Sequence, residues 1–116
     1  MTHRIFVIDT NVLVAGFITA EPNSPTAGIL DAMLDGSLFY LLSADLVREY
    51  RNVLLRPNIV RRHRLHAQQI DQILTEITAN GIWRDPPLEN IHQPPDPKDA
   101  HLWALLAAEP GAVLIT

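Results

Sequence analysis

The stretch Ile5-Phe6-Val7-Ile8-Asp9-Thr10-Asn11-Val12-Leu13-Val14 decides how the chain is read. Four consecutive apolar residues, mostly β-branched, end in a carboxylate. Such a run predicts a strand buried on both faces, the habit of a central parallel strand. Open α/β sheets place their ligand sites just outside the carboxyl ends of such strands. Asp9 is therefore expected where the backbone leaves the core, held by a rigid element and facing a crevice. A carboxylate at that address serves a cation or a reaction, or the segment is merely an Asx-type turn made by Asp9 or Asn11. Read alone, the stretch leaves both open.

The rest of the composition narrows the class. A chain of 116 residues with 47% apolar and 19% charged residues predicts one globular domain, 1–116, with a real core. No apolar run approaches the roughly 18 residues of a membrane span, and the first strand leads straight into Asp9 instead of a signal-peptide pattern. With no Cys, a disulfide framework and a thiolate metal site are excluded. The expected location is cytoplasmic, with no membrane partner.

The formal charge of −4 argues against a nucleic-acid partner, but its distribution argues for one. Arg48, Arg51, Arg56, Arg61, Arg62 and Arg64 face Glu49 alone within their stretch, and His63 and His66 lie beside them. A basic stripe on an acidic body is a phosphate-binding footprint, or else a solvated helix face with nothing bound.

Strands and helices alternate along the chain. After the first strand comes a loop at 19–23. Ser24 as N-cap and Pro25 at the first helical position open a helix that runs to Asp35 and ends at Gly36. Residues 38–42 form a short second strand, and Ser43 caps a helix over 44–55. Pro57 restarts a short helix through Arg62. Ile70, Ile73, Leu74 and Ile77 recur at helical spacing in 67–80, with Gly81 as the stop. A third strand covers 82–84, and a proline-rich connection with Pro86, Pro87, Pro94, Pro95 and Pro97 reads as a rigid surface loop. A last helix over 98–109 leads into a fourth strand at 112–115. This order predicts a parallel sheet covered on both sides.

Several acids share one structural address. Asp9 ends the first strand, and Glu49 lies on a flank of the helix after the second. Asp96 and Asp99 open the last helix, whose N-terminus attracts a carboxylate. Singly each has an ordinary explanation. Asp99 suits an N-cap, Asp96 before Pro97 suits a turn, and Glu49 suits a surface pair with Arg48 or Arg51. Their convergence at one sheet edge is the functional argument. Hard oxygen ligands without Cys suit Mg²⁺ or Mn²⁺. His101 is expected to be a first-turn surface residue and not a ligand. A Ser-His-Asp arrangement, a Gly-rich phosphate loop and a dinucleotide fingerprint are all missing, which leaves metal-assisted phosphate chemistry.

Four blocks together resemble the PIN domain in order and spacing: Ile8-Asp9-Thr10-Asn11-Val12-Leu13, Ser43-Ala44-Asp45-Leu46-Val47-Arg48-Glu49-Tyr50, Asp96-Pro97-Lys98-Asp99-Ala100-His101 and Ala112-Val113-Leu114-Ile115-Thr116. The resemblance is greatest to the toxin–antitoxin PIN ribonucleases of the VapC type. It implies a three-layer α/β/α sandwich with a central parallel sheet. It also implies an acidic pocket for Mg²⁺ or Mn²⁺. By position, the implied catalytic acids are Asp9, Glu49 and Asp99, with Asp9, Asp99 and accessory Asp96 on the metal and Asn11 orienting the first acid. A fourth acid is implied in a Thr-Gly-Asp segment after Thr116. On that comparison the chain lacks the closing elements and is expected to be a C-terminally incomplete PIN-like domain.

The function expected from these readings is a divalent-metal-dependent endoribonuclease, the toxin of a toxin–antitoxin pair. Arg48, Arg51, Arg61, Arg62 and Arg64 would guide RNA, single-stranded or structured, into the pocket. A cognate antitoxin is the expected protein partner, and a homodimer stays open. The alternative expectation is a truncated, catalytically weak PIN-like module that acts by binding a protein partner. A phosphotransfer domain with a phosphorylated Asp9 fits less well, because Thr10 and Asn11 follow the acid and Lys98 is the only lysine.

Overall fold

Residues 4–85 and 99–116 are described by the computed structural model. The first strand, β1 (Phe6–Ile8), leads into α1 (Thr10–Ile18). Then come α2 (Pro25–Asp35), β2 (Leu41–Leu42), α3 (Ala44–Leu54), α4 (Pro57–His63) and α5 (Ala67–Asn80). Last are β3 (Ile82–Trp83), α6 (Ala100–Ala108) and β4 (Val113–Ile115). The proline-rich connection and Asp96 lie outside the described residues.

The strands are parallel, as the alternating order predicts. β1 pairs with β4 in the register Phe6 to Val113 and Ile8 to Ile115. β2 pairs with β3, Leu41 to Ile82 and Leu42 to Trp83. A parallel bridge between Phe6 and Tyr40 joins the two pairs, so the order across them is β3-β2-β1-β4. β1 is thus central, and Val7 and Ile8 are fully buried. All strands end on one edge, where Asp9, Ser43, Arg84 and Thr116 follow them. The fold is mixed α/β of the expected class.

Several boundaries follow from local chemistry. The Ser24 hydroxyl accepts from the Ala27 N–H at 3.2 Å, Pro25 fills the first turn, and Gly36 closes α2 with φ +80°. The Ser43 hydroxyl caps α3 by accepting from the Leu46 N–H at 3.1 Å. Leu46, Tyr50 and Leu54 form the fully buried face of α3. α5 opens with the Gln69 side chain accepting from the His66 N–H at 2.9 Å and buries Ile70, Leu74 and Ile77.

The main difference lies in residues 10–18. No element was expected between the first strand and the loop at 19–23, yet nine residues there form α1. Val12, Leu13 and Val14 are consecutive, β-branched in part and all buried, so the segment shows no apolar stripe. Tertiary burial overrides a pattern that periodicity cannot resolve. α1 packs on α2, α3 and α4. At Gly16 an added Cβ would lie 2.8 Å from the Thr26 carbonyl oxygen, so glycine is what lets α1 and α2 approach this closely. The second strand is shorter than expected, because Phe39 is exposed and Tyr40 contributes only the bridge.

Candidate functional site

Asp9 occupies the N-cap position of α1, and Asp99 occupies the same position on α6. Neither makes a side-chain capping hydrogen bond, whereas Ser24 and Ser43 do. Asp99 thus stands at the N-cap position expected of it, and the Asp9 carboxylate feels the N–H groups of Thr10 and Asn11. α6 packs against β1 and α3, which brings the Asp99 end of the helix towards Asp9 and Glu49.

Electrostatics report this convergence. Burial is the largest influence on Asp9 and raises its pKa above 3.8. The negative charges of Glu49 and Asp99 raise it further, while the N–H groups of Thr10 and Asn11, near enough to be felt without closing a cap, pull it back. An acid raised both by desolvation and by two like charges is the signature of clustered carboxylates.

The peptide that carries Asp9 is clamped on both sides. Its N–H donates to the Ile115 carbonyl at 3.0 Å. Its carbonyl, that of Ile8, accepts from the Tyr50 hydroxyl at 2.5 Å. Tyr50 is fully buried, and burial first, then the charges of Asp9, Tyr40 and Glu49, pushes its pKa well above 10, so the hydroxyl remains a donor.

Glu49 is expected on a flank, and it lies there half-buried on α3. Its partners differ from those expected. Neither Arg48 nor Arg51 reaches it. Instead the buried Thr10 hydroxyl donates to Glu49 Oε2, and His101 Nε2 lies 3.6 Å from the same oxygen. Thr10 is a site residue that the sequence reading passed over, although it stands inside the Asp-Thr-Asn opening. His101 corrects an expectation. It is in the first turn of α6, but its side chain is only 13% exposed and leans on Glu49. His101 Nδ1 is buried without a hydrogen-bond partner among the described residues.

Asn11 is exposed and lines a groove beside the site instead of bonding to Asp9 through its side chain. The expected basic stripe divides. Arg51 makes a two-pronged bridge to Asp71 at 2.8 and 3.2 Å, and Arg48 pairs with Asp45 at 2.9 Å. The guanidinium groups of Arg56, Arg61, Arg62 and Arg64 make no hydrogen bond or ion pair among the described residues. Two grooves lie nearby, one beginning at Asn11 and one reaching Glu49. One, of about 530 Å³, is lined by Asn11, Ile18, Thr26, Ile59 and Arg62 among others. The second, of about 380 Å³, is lined by Glu49, His101, Arg48 and Arg56 among others.

Among the described residues no three His, Asp or Glu side chains close into a ready-made metal cage. The donors are nonetheless hard oxygens that repel one another, and a divalent cation relieves that repulsion. Asp9, Glu49 and Asp99 therefore fit such an ion by chemistry.

The family model for the PIN domain matches residues 5–116. No curated protein and no solved structure matches the chain.

Proposed function

The chain belongs to the PIN domain family, and on that premise we propose that it is a divalent-metal-dependent endoribonuclease, the toxin of a toxin–antitoxin pair. PIN domains are typically nucleases that act on nucleic acids and generally use divalent metals. The observation that supports the proposal is the meeting of three chain segments at the end of β1: next to Asp9, the Thr10 hydroxyl donates to Glu49 of α3, and His101 of α6, two residues after Asp99, lies 3.6 Å from the same oxygen.

Asp9 and Asp99 would hold Mg²⁺ or Mn²⁺, with Asp96 as an accessory ligand. When bound, such an ion lowers the pKa of a water and offsets the charge that develops on a phosphodiester. The remaining work falls to the chain itself. Tyr50 and Ile115 hold the Asp9 peptide rigid. Thr10 fixes one oxygen of Glu49, which leaves the other to orient a water towards phosphorus. The expected products are a 5′-phosphate and a 3′-hydroxyl. Arg56, Arg61, Arg62 and Arg64, which make no ion pair among the described residues, attract the RNA strand, and a cognate antitoxin is the proposed protein partner.

The test is cleavage of 5′-labelled RNAs of mixed sequence with Mn²⁺ or Mg²⁺. Chelation and Asp9→Asn should each abolish cleavage, and calorimetric titration should show weaker Mn²⁺ binding by Asp9→Asn and Asp99→Asn than by wild type. Cleavage in the presence of chelator, or by Asp9→Asn at the wild-type rate, defeats the proposal.

A further inference from the structure

The groove of about 530 Å³ that begins at Asn11 has a chemistry of its own. It lies between α1, α2 and α4 and begins at Asn11, two residues after Asp9. Val14, Ile18 and Ile59 make an aliphatic wall, and Asn11 and Thr26 add an amide and a hydroxyl. Arg62 stands at its α4 side, exposed, with a guanidinium that makes no hydrogen bond or ion pair among the described residues. None of the described residues that line the groove is acidic, although the chain as a whole carries a charge of −4.

We infer that this groove seats one nucleotide of the RNA strand next to the scissile position. Arg62 holds a backbone phosphate, the aliphatic wall takes a base face, and Asn11 and Thr26 meet the base edge. The inference rests on the nuclease reading and names a substrate subsite for it. Charge selects this occupant. A cation without a partner among the described residues, in a groove whose described lining holds no acid, complements a polyanion, and the groove begins at Asn11, two residues after Asp9. The volume also suits one nucleotide, since small-ligand pockets span roughly 300–1,000 Å³. An aliphatic wall without an aromatic ring accepts any base face, so the subsite positions the strand more than it reads sequence.

The experiment uses the full chain in chelator, so that RNA binds without being cut. A 12-nucleotide RNA carrying one 4-thiouridine is irradiated on the protein, and the crosslinked peptides are mapped by mass spectrometry. Adducts are expected in the segments 14–19 and 59–62. In parallel, binding is followed by fluorescence anisotropy across salt concentrations for wild type, Arg62→Gln and the charge control Arg4→Gln. Loss of one phosphate contact flattens the log–log salt slope by about 0.7. The affinity lost between 50 and 200 mM salt should then be about 2.6-fold smaller for Arg62→Gln than for wild type, with Arg4→Gln unchanged. Arg62 is exposed, so its variant keeps the fold, and the crosslinking arm needs no variant. A wild-type slope in Arg62→Gln, or adducts confined to the Glu49–Arg56 groove, overturns the inference. So does a dimer by light scattering that Arg62→Gln dissolves while RNA affinity is unchanged, because the groove would then bind a second copy. These outcomes are independent of the nuclease reading, which stands or falls on Asp9-dependent cleavage.

Discussion

Tyr50→Phe tests how the fold holds its first acid. The substitution keeps the fully buried ring and removes only the hydroxyl, so no cavity of consequence opens. What is lost is the donor to the Ile8 carbonyl at 2.5 Å, on the peptide whose N–H is the Asp9 N–H. A hydrogen bond contributes about 1 kcal/mol net, and stranding a buried acceptor raises the total to about 1–3 kcal/mol. At a central value of about 2 kcal/mol, a domain of this size should lose roughly 6–10 °C in Tm. Urea denaturation at pH 7 should show a lower midpoint with an unchanged slope, since the surface exposed on unfolding is the same. RNA cleavage should fall about two- to tenfold, because the peptide carrying Asp9 keeps only its Ile115 clamp and positioning errors are costly in catalysis. A variant within about 0.5 kcal/mol of wild type, with full cleavage, would refute the clamp.

Two further outcomes follow from the same geometry. The Asp9 pKa is raised in the fold, so its ionised form opposes folding: below 3.8 the acid is protonated in both states and the penalty is absent, and it grows with pH until the pH passes the raised folded value. Asp9→Asn should therefore match wild-type stability in acid and exceed it at pH 7 by thermal melts at low salt, and a curve that runs parallel to wild type across the range speaks against clustered carboxylates. Thr10→Val removes the donor to Glu49 at nearly constant volume, and it should lower kcat with little change in KM; a change in KM alone would make Thr10 a binding residue and not a support for Glu49.

Much of the fold was legible in residues that act over a few positions. Ser24-Pro25 and Gly36 bound α2, Ser43 opens α3, and the apolar spacing of Ile70, Leu74 and Ile77 marks α5 up to Gly81. Caps and apolar periodicity are satisfied within one or two turns, so the sequence carries them directly. α1 was not legible, because Val12-Leu13-Val14 is apolar without a period, and burial from all sides decides its conformation.

By itself, then, the sequence determined the alternating parallel α/β class and the address of Asp9 at the end of a central strand. It also marked Glu49 and Asp99 as acids near that edge. Only the tertiary structure decided what those acids meet. Thr10 and Glu49 lie 39 positions apart, and Arg51 and Asp71 lie 20 apart. Whether such side chains touch depends on how α1, α3, α5 and α6 cross. The same crossings bury His101 against Glu49, engage Arg51 with Asp71 and leave Arg62 open on its groove. Helix crossing is set by the summed packing of the whole core, and no local run of residues encodes it.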